Sequence, residues 1–309
     1  MTEGSSHDFD RLVATLYAGA FERGWQSFRP WALEQFCEWI GAQGAAWLTR
    51  APNALPGEFA QWPESLSFDI QAMRAVPLDA AHRERELRPL PVALGGGDGS
   101  WGLELLVAHR GTALYSLLLL RFSEGVQPDH GLLRRATGHL VQAGSLSLSQ
   151  FIQRDEWLQA LGRPSRGSSA MIDAALAVYV ASERFRTLVG EQWGGNEFST
   201  LPFPVPATVL EDGAGEFRIG DLHFRLARAG ELYLLHARKP HPLDGLSPRE
   251  QDIARALAQG KTFKSVAREY DIAISTVANH ASRIYRKLGI YRREDLVGLL
   301  RTAAVAKAA

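Results

Sequence analysis

Apolar positions recur at helical spacing near the start of the chain. Phe9, Leu12, Val13, Leu16, Tyr17 and Ala20 predict one amphipathic helix. Leu33, Phe36, Cys37 and Ile40 predict a second after Pro30, broken by Gly41 to Gly44. Ala45 to Thr49 reads as a buried strand. Residues 51–100 carry no clear period: they hold many prolines, a charged stretch from His82 to Arg88 and a turn-rich run from Gly95 to Ser100. Leu103 to Ala108 and Leu114 to Phe122 then predict a strand pair that turns at Arg110-Gly111. After Pro128 a long helical period runs from about Gly131 to Leu161, with Leu132, Leu133, Leu140, Val141, Leu146, Leu148, Ile152 and Leu158.

Gly162 to Ser168 has the composition of a linker. Beyond it, Ala170 to Ile172 and Leu176 to Val180 predict strands, and Glu183 to Gly190 a short helix. A loop with many Gly and Pro residues leads to Pro206. Three strands of a meander follow: Phe217 to Ile219, Leu222 to Leu226, and Leu232 to Ala237. Lys239 to Pro242 with Asp244-Gly245 forms a hinge. No tandem repeat is visible.

The last sixty-odd residues read as four short helices. Ser247 caps the first, Pro248 suits its first turn, and Glu250 completes a capping box. Ile253, Ala254 and Leu257 give its apolar stripe, and Gly260 ends it. Thr262 caps a second helix, Phe263 to Tyr270, with Val266 and Ala267 inward. A third runs to about Leu288 with Val277, Ala281, Ile284, Tyr285 and Leu288 on one face, and Gly289 stops it. A fourth, Arg293 to about Thr302, shows Leu296, Val297 and Leu300. Two helices joined by a short turn, the second exposing polar groups, is a layout that places a helix in the DNA major groove.

Leu246-Ser-Pro-Arg-Glu250, Val266-Ala267, Ser275-Thr276-Val277, Asn279-His280 and Ile284-Tyr-Arg-Lys-Leu-Gly289 resemble the LuxR-type four-helix helix-turn-helix domain. The resemblance covers the last fifth of the chain. It implies that Ala278, Asn279 and Ser282 face bases, while Lys264, Thr276 and His280 lie near phosphates. Arg283 and Arg286 complete the DNA-binding set. Asn pairs bidentately with adenine, and Lys neutralises a phosphate. Two positions depart from the family. Ala278 stands where lysine is usual, and Ala273 where a capping serine is usual, leaving Ser275 as a later cap. In this family the fourth helix commonly forms a dimer contact, here Leu296, Val297 and Leu300; the other reading is that these residues close the small core. The long helix up to Leu161 is a second candidate seam, or a cover for the sheet.

The preceding elements resemble sensor domains. Residues 1–161 look like a GAF domain ending in a long helix, and 163–239 like a reduced PAS domain. A linker at 240–245 then leads to the DNA-binding domain at 246–306. The fold class is thus an α+β sensor region, with GAF/PAS-like mixed sheets and flanking helices, followed by an all-α helix-turn-helix domain.

Composition narrows the class. The chain has 309 residues, 46% hydrophobic and 22% charged, as a globular protein of two or three domains would. No stretch of about 18 apolar residues predicts a membrane span, and the first residues show no export signal. Cys37, the single cysteine, suits the cytoplasm and reads as a small buried residue. Net charge is zero but uneven. From Gly245 onward twelve basic residues face six acidic ones, which leaves the rest of the chain acidic. A basic end on an acidic body fits a phosphate-binding module.

The nine histidines are scattered, and no His-Glu-x-x-His, Cys-x-x-Cys or Gly-x-Ser-x-Gly occurs, so no catalytic residue, metal or cofactor is assigned. No phosphate-binding loop is present. Neither the acidic pattern of a phosphorylated receiver nor the Trp-Tyr and Asp-Pro signature of acyl-homoserine-lactone sensors is seen. Aromatic residues crowd the first third (Trp25, Phe28, Trp31, Phe36, Trp39, Trp47). They read as core or as the wall of an apolar effector pocket, where Arg50, His82 or Arg88 offer a polar group, and no pocket residue is assigned among them.

The expectation is a cytoplasmic, non-enzymatic transcription regulator. It binds a palindromic operator in double-stranded DNA as a homodimer, and a small hydrophobic effector or a partner protein controls it. An interaction adaptor with weak DNA binding is the alternative.

Overall fold

The computed structural model describes residues 3–52, 57–66, 68–77, 87–91, 94, 101–109, 112–154, 168–240 and 242–305. The chain divides into two compact units, Met1–Arg238 and Lys239–Ala309.

The first unit opens with two helices, α1 (Glu3–Glu22) and α2 (Trp25–Ile40). Pro30 lies inside α2 and does not begin it, contrary to the sequence expectation. The proline removes one backbone hydrogen bond, but Trp25 and Phe28, which precede it, are both buried and hold the first turns in place. The first sheet follows, with β1 (Ala42–Arg50), β2 (Glu58–Trp62), β3 (Leu87–Pro89), β4 (Trp101–Ala108) and β5 (Tyr115–Phe122). The short helix α3 (Ile70–Ala75), capped by Asp69, lies between β2 and β3. β2, α3 and β3 fall where the sequence showed no period. α4 (His130–Gln153), capped by Asp129, closes this lobe. The expected turns at 95–100 and 110–111, His82, the end of the expected long helix at 155–161 and most of the linker lie outside the described residues.

A second sheet holds β6 (Ser169–Ile172), β7 (Val178–Ala181), β8 (Ala214–Ile219), β9 (Leu222–Ala229) and β10 (Leu232–Arg238), with α5 (Glu183–Trp193) and α6 (Ala207–Asp212) between β7 and β8. The sheets run in the orders β2-β1-β5-β4-β3 and β7-β6-β10-β9-β8. Counted within each lobe, the two orders are the same. The chain therefore repeats one topology that its residues do not display as a sequence repeat. Every described pair is antiparallel, so the α+β expectation holds with antiparallel rather than mixed sheets.

Strand alternation sorts the cores. Ala45, Trp47, Leu103, Leu105, Leu118 and Leu120 face α1, α2 and α4. Ala46, Leu48, Leu106, Leu117 and Leu119 face the other way, against Phe68, Met73, Leu90 and Leu94. The aromatics of the first third are thus mainly core. On the second sheet, Ala170, Ile172, Phe224 and Leu235 pack on Phe185, Val189 and Phe203. Its other face places Met171, Tyr179, Leu232 and Leu234 against Trp25, Leu114, Leu148 and Ile152 of the first lobe. The two lobes share this buried cluster.

In the second unit a single 3-10 turn, Pro242–Gly245, precedes α7 (Pro248–Ala258), α8 (Phe263–Glu269), α9 (Ile274–Leu288) and α10 (Arg293–Val305). Leu246, Ile253, Leu257, Val266, Val277, Ala281, Ile284 and Leu296 form its core.

Candidate nucleic-acid interface

Local signals place the helices that carry the site. Ser247 Oγ accepts from the Glu250 backbone N–H at 3.4 Å, and Glu250 Oε2 accepts from the Ser247 N–H at 2.8 Å. This is the expected capping box. Glu250 Oε2 also accepts from Lys287 Nζ at 2.7 Å, which ties the start of α7 to the end of α9. Lys287, with the Ser247 backbone N–H and hydroxyl, holds the Glu250 carboxyl down to about 2, from an ordinary value of 4.5. Thr262 caps α8 through the Ser265 N–H. Arg249 donates to the Tyr270 carbonyl at 2.7 Å and lies over the Tyr270 ring. Arg293 donates to the carbonyls of Leu257 and Lys261, closing the C-terminal end of α7. Gly289 ends α9 in a left-handed conformation at φ 64°.

No side chain caps α9. Its N-cap is Ala273, and Ser275 lies inside the helix, so the alternative cap expected at Ser275 does not form. The helix begins two residues too early for that serine to stand at its N-cap.

α9 buries Val277, Ala281 and Ile284, packs Tyr285 and Leu288 against the same core, and turns its polar face outward. Asn279, Ser282, Arg283 and Arg286 are exposed, while Ala278, Thr276 and His280 are half-buried. Lys264, in the first turn of α8, is exposed. The His280 Nδ1 is buried without a hydrogen-bond partner. Ala278 and Ser282 share one row of α9, and Asn279, Arg283 and Arg286 lie on the adjoining rows, because residues three and four apart are neighbours on a helix. On α10 the outcome differs from the expected dimer set. Leu296 is 0% exposed, a core residue unable to meet a second chain, and Leu300 is half-buried against the same core. Val297 is half-buried as well.

The first unit holds polar groups that the sequence did not single out. Arg29 and Glu58 form a buried ion pair at 2.7 Å. Arg29 donates to Thr49 Oγ1 at 2.9 Å, which lies 2.7 Å from Ser116 Oγ. Ser116 Oγ also accepts from Trp47 Nε1 and sits 2.8 Å from His109 Nε2. His109 Nδ1 lies 3.2 Å from Ser145 Oγ. Burial and the nearby Arg29 charge push the imidazole down to about 4. Every link is satisfied by a neutral ring protonated on Nδ1, a tautomer inferred from the network. Arg50 donates to the backbone carbonyls of Ala51, Pro52, Arg74 and Val76. Arg88 lies on β3 opposite Glu104. Among the described residues no His, Cys, Asp and Glu cluster is placed to hold a metal, and no helix is long and apolar enough to cross a membrane.

A capped helical scaffold presenting the polar face of one helix, with basic residues along it, defines a helix-turn-helix DNA-binding unit. Residues 244–300 match the family described as bacterial regulatory proteins, luxR family. Over 57 residues the chain is 42% identical to the spore germination protein GerE of Bacillus subtilis (strain 168), covering 18% of this chain and 77% of GerE. The chain belongs to the LuxR family of bacterial regulatory proteins. A longer match, 24% identical over 191 residues, covers 53% of this chain and 89% of a nitrate/nitrite response regulator protein homolog of Haemophilus influenzae (strain ATCC 51907 / DSM 11121 / KW20 / Rd). Among solved structures, SdiA in complex with octanoyl-rac-glycerol is similar across 97% of this chain and 95% of that one, at 12% identity and a TM-score of 0.35.

Proposed function

We propose that this LuxR-family DNA-binding regulator reads a specific operator with α9 and that the first unit controls the act. One observation carries the reading. The outward face of α9 gathers Asn279, Ser282, Arg283 and Arg286 over a helix whose opposite face is fully committed to the core. Asn279, Ala278 and Ser282 meet base edges, while Lys264, Thr276, His280, Arg283 and Arg286 hold the phosphate backbone. The buried Nδ1 of His280 leaves its other ring nitrogen to meet a phosphate. Two copies bind a palindromic site, with Val297 and Leu300 of α10 at the seam. The first unit, Met1–Arg238, takes a small hydrophobic effector or a partner protein, and its occupancy shifts the population of DNA-binding-competent chains. Three sequence domains, 1–161, 163–239 and 246–306, remain the division we propose. The regulator acts in the cytoplasm.

The test is selection of sites from a randomised duplex pool by the full chain. Lys264→Ala should weaken binding on every selected duplex and lower the slope of log affinity against log salt by about 0.9. Asn279→Ala should relax sequence preference and leave that slope unchanged. A chain that enriches no duplex sinks the reading. Mass spectrometry of the purified protein under non-denaturing conditions tests the effector.

A further inference from the structure

The N-terminal half of α9, the half that enters a groove in a helix-turn-helix complex, carries no charged side chain. From Ile274 to Ser282 it reads Ile-Ser-Thr-Val-Ala-Asn-His-Ala-Ser, and arginine first appears at Arg283. Its first residue, Ile274, is a large aliphatic side chain left 51% exposed. The core has no use for it, because Val277, Ala281 and Ile284 supply the buried face. Ile274, Ala278 and Ser282 stand four residues apart and so form one row along the helix. That row is uncharged throughout, and its first two members are apolar. The residue before it, Ala273, adds no polar cap.

The edges of bases in the major groove offer donors, acceptors and one apolar feature, the 5-methyl group of thymine. An apolar row at the leading end of a reading helix is complementary to that group and to no other base edge. We propose that Ile274, with Ala278 behind it, is a specificity-determining contact that reads thymine methyl groups in the operator. The proposal rests on the DNA-reading role of α9 given above. It assigns a selecting role to a residue whose side chain makes no hydrogen bond. It also replaces the charge lost at Ala278 with a preference for thymine over cytosine at the contacted positions.

Thymine and deoxyuridine differ in that methyl alone, so the test is chemical. The full chain selects duplexes from a randomised pool, and the best duplex is remade with each thymine replaced in turn by deoxyuridine. At the contacted positions the unaltered chain should bind the deoxyuridine duplex about three- to fourfold more weakly, as burial of one methyl group implies. Ile274→Ala should bind the thymine duplex more weakly by a similar factor and no longer distinguish the two. Ile274→Gln, which keeps the length of the side chain and removes its apolar end, should behave like Ile274→Ala. Equal binding of thymine and deoxyuridine duplexes by the unaltered chain overturns the proposal while leaving DNA reading intact. So does full discrimination retained by both variants. Failure to enrich any duplex overturns both this proposal and the DNA-binding reading beneath it.

Discussion

The phenol of Tyr179, on β7 of the second sheet, donates a 3.0 Å hydrogen bond to the backbone carbonyl of Thr49, on β1 of the first. Thr49 also receives Arg29 on its hydroxyl. One residue at the end of β1 thus joins the buried charge pair of the first lobe to the second lobe. Tyr179 is almost wholly buried, and burial raises its phenol, so it remains a neutral donor across the ordinary pH range. The bond sits beside Met171, Leu232 and Leu234, which pack on Trp25, Leu148 and Ile152. Apolar burial holds the lobes together, and the phenol fixes their register.

Tyr179→Phe should therefore keep the packing and lose the bond. The expected cost is about 1–2 kcal/mol, because a buried hydrogen bond goes and its acceptor loses a partner. All eight tryptophans precede Lys239, so tryptophan fluorescence during denaturant unfolding reports this unit alone. An unchanged midpoint would mean that the bond contributes nothing to the joint.

Gly144 and Gly138 make a matched pair on α4. A Cβ at Gly144 would lie 2.5 Å from the Trp47 ring, whereas one at Gly138 meets nothing within 4 Å. Trp47 cannot yield readily. Its Nε1 is bonded to Ser116 at 2.8 Å, and the Arg29 guanidinium lies 4.1 Å from its ring centroid. Alanine in a helix interior normally gains up to about 1 kcal/mol over glycine. Gly138→Ala should show that gain. Gly144→Ala should instead destabilise by about 1–3 kcal/mol through overpacking. Two variants with the same sign in thermal unfolding would remove the steric account.

His109 sets an acid limit for the first unit. Its folded value of about 4 lies below the ordinary 6.5, since burial and Arg29 disfavour the cation. Between those values the unfolded chain binds a proton that the folded chain refuses. Stability is therefore complete above about pH 6.5 and falls as pH drops toward 4, by on the order of 3 kcal/mol at most. His109→Gln should flatten the curve over that window. A variant whose stability falls as steeply as that of the parent would clear His109 of the role.

The second unit was legible because its signals are local. Ser247 with Glu250, Thr262 and Gly289 each mark a helix end within four residues, and Val277, Ala281 and Ile284 keep one period. Leu296 was ambiguous because a helix closing a small core and a helix seeking a partner present the same spacing; only burial separates them. The first unit was harder for the opposite reason. β3 has 3 residues and α3 has 6, too few to show a period. Arg29, Thr49, Glu58 and Ser116 look in sequence like surface positions, since the bonds among them span 20 to 67 residues. The repeated sheet order was invisible, because topology is set by long-range pairing and the two lobes use different residues to achieve it.

The bond between Glu250 and Lys287 yields the last prediction. The Lys287 ammonium and the Ser247 amide hold the carboxyl near 2, while the unfolded chain takes up a proton near 4.5. Above about pH 4.5 both states are ionised at this site and the stabilisation is complete. As pH falls from 4.5 toward 2, the unfolded state gains a proton first, and the stabilisation drains away. Lys287→Gln keeps the capping box and removes the strongest of the interactions that lower the carboxyl. At neutral pH it should cost no more than about 1 kcal/mol, because the lysine is partly solvated. In acid its curve should be flatter than the parent's. The second unit contains no tryptophan, so the helical circular dichroism of the full chain, compared with its tryptophan signal, isolates the transition. Coincident acid profiles for Lys287→Gln and the parent would show that the tie between α7 and α9 does not set the carboxyl.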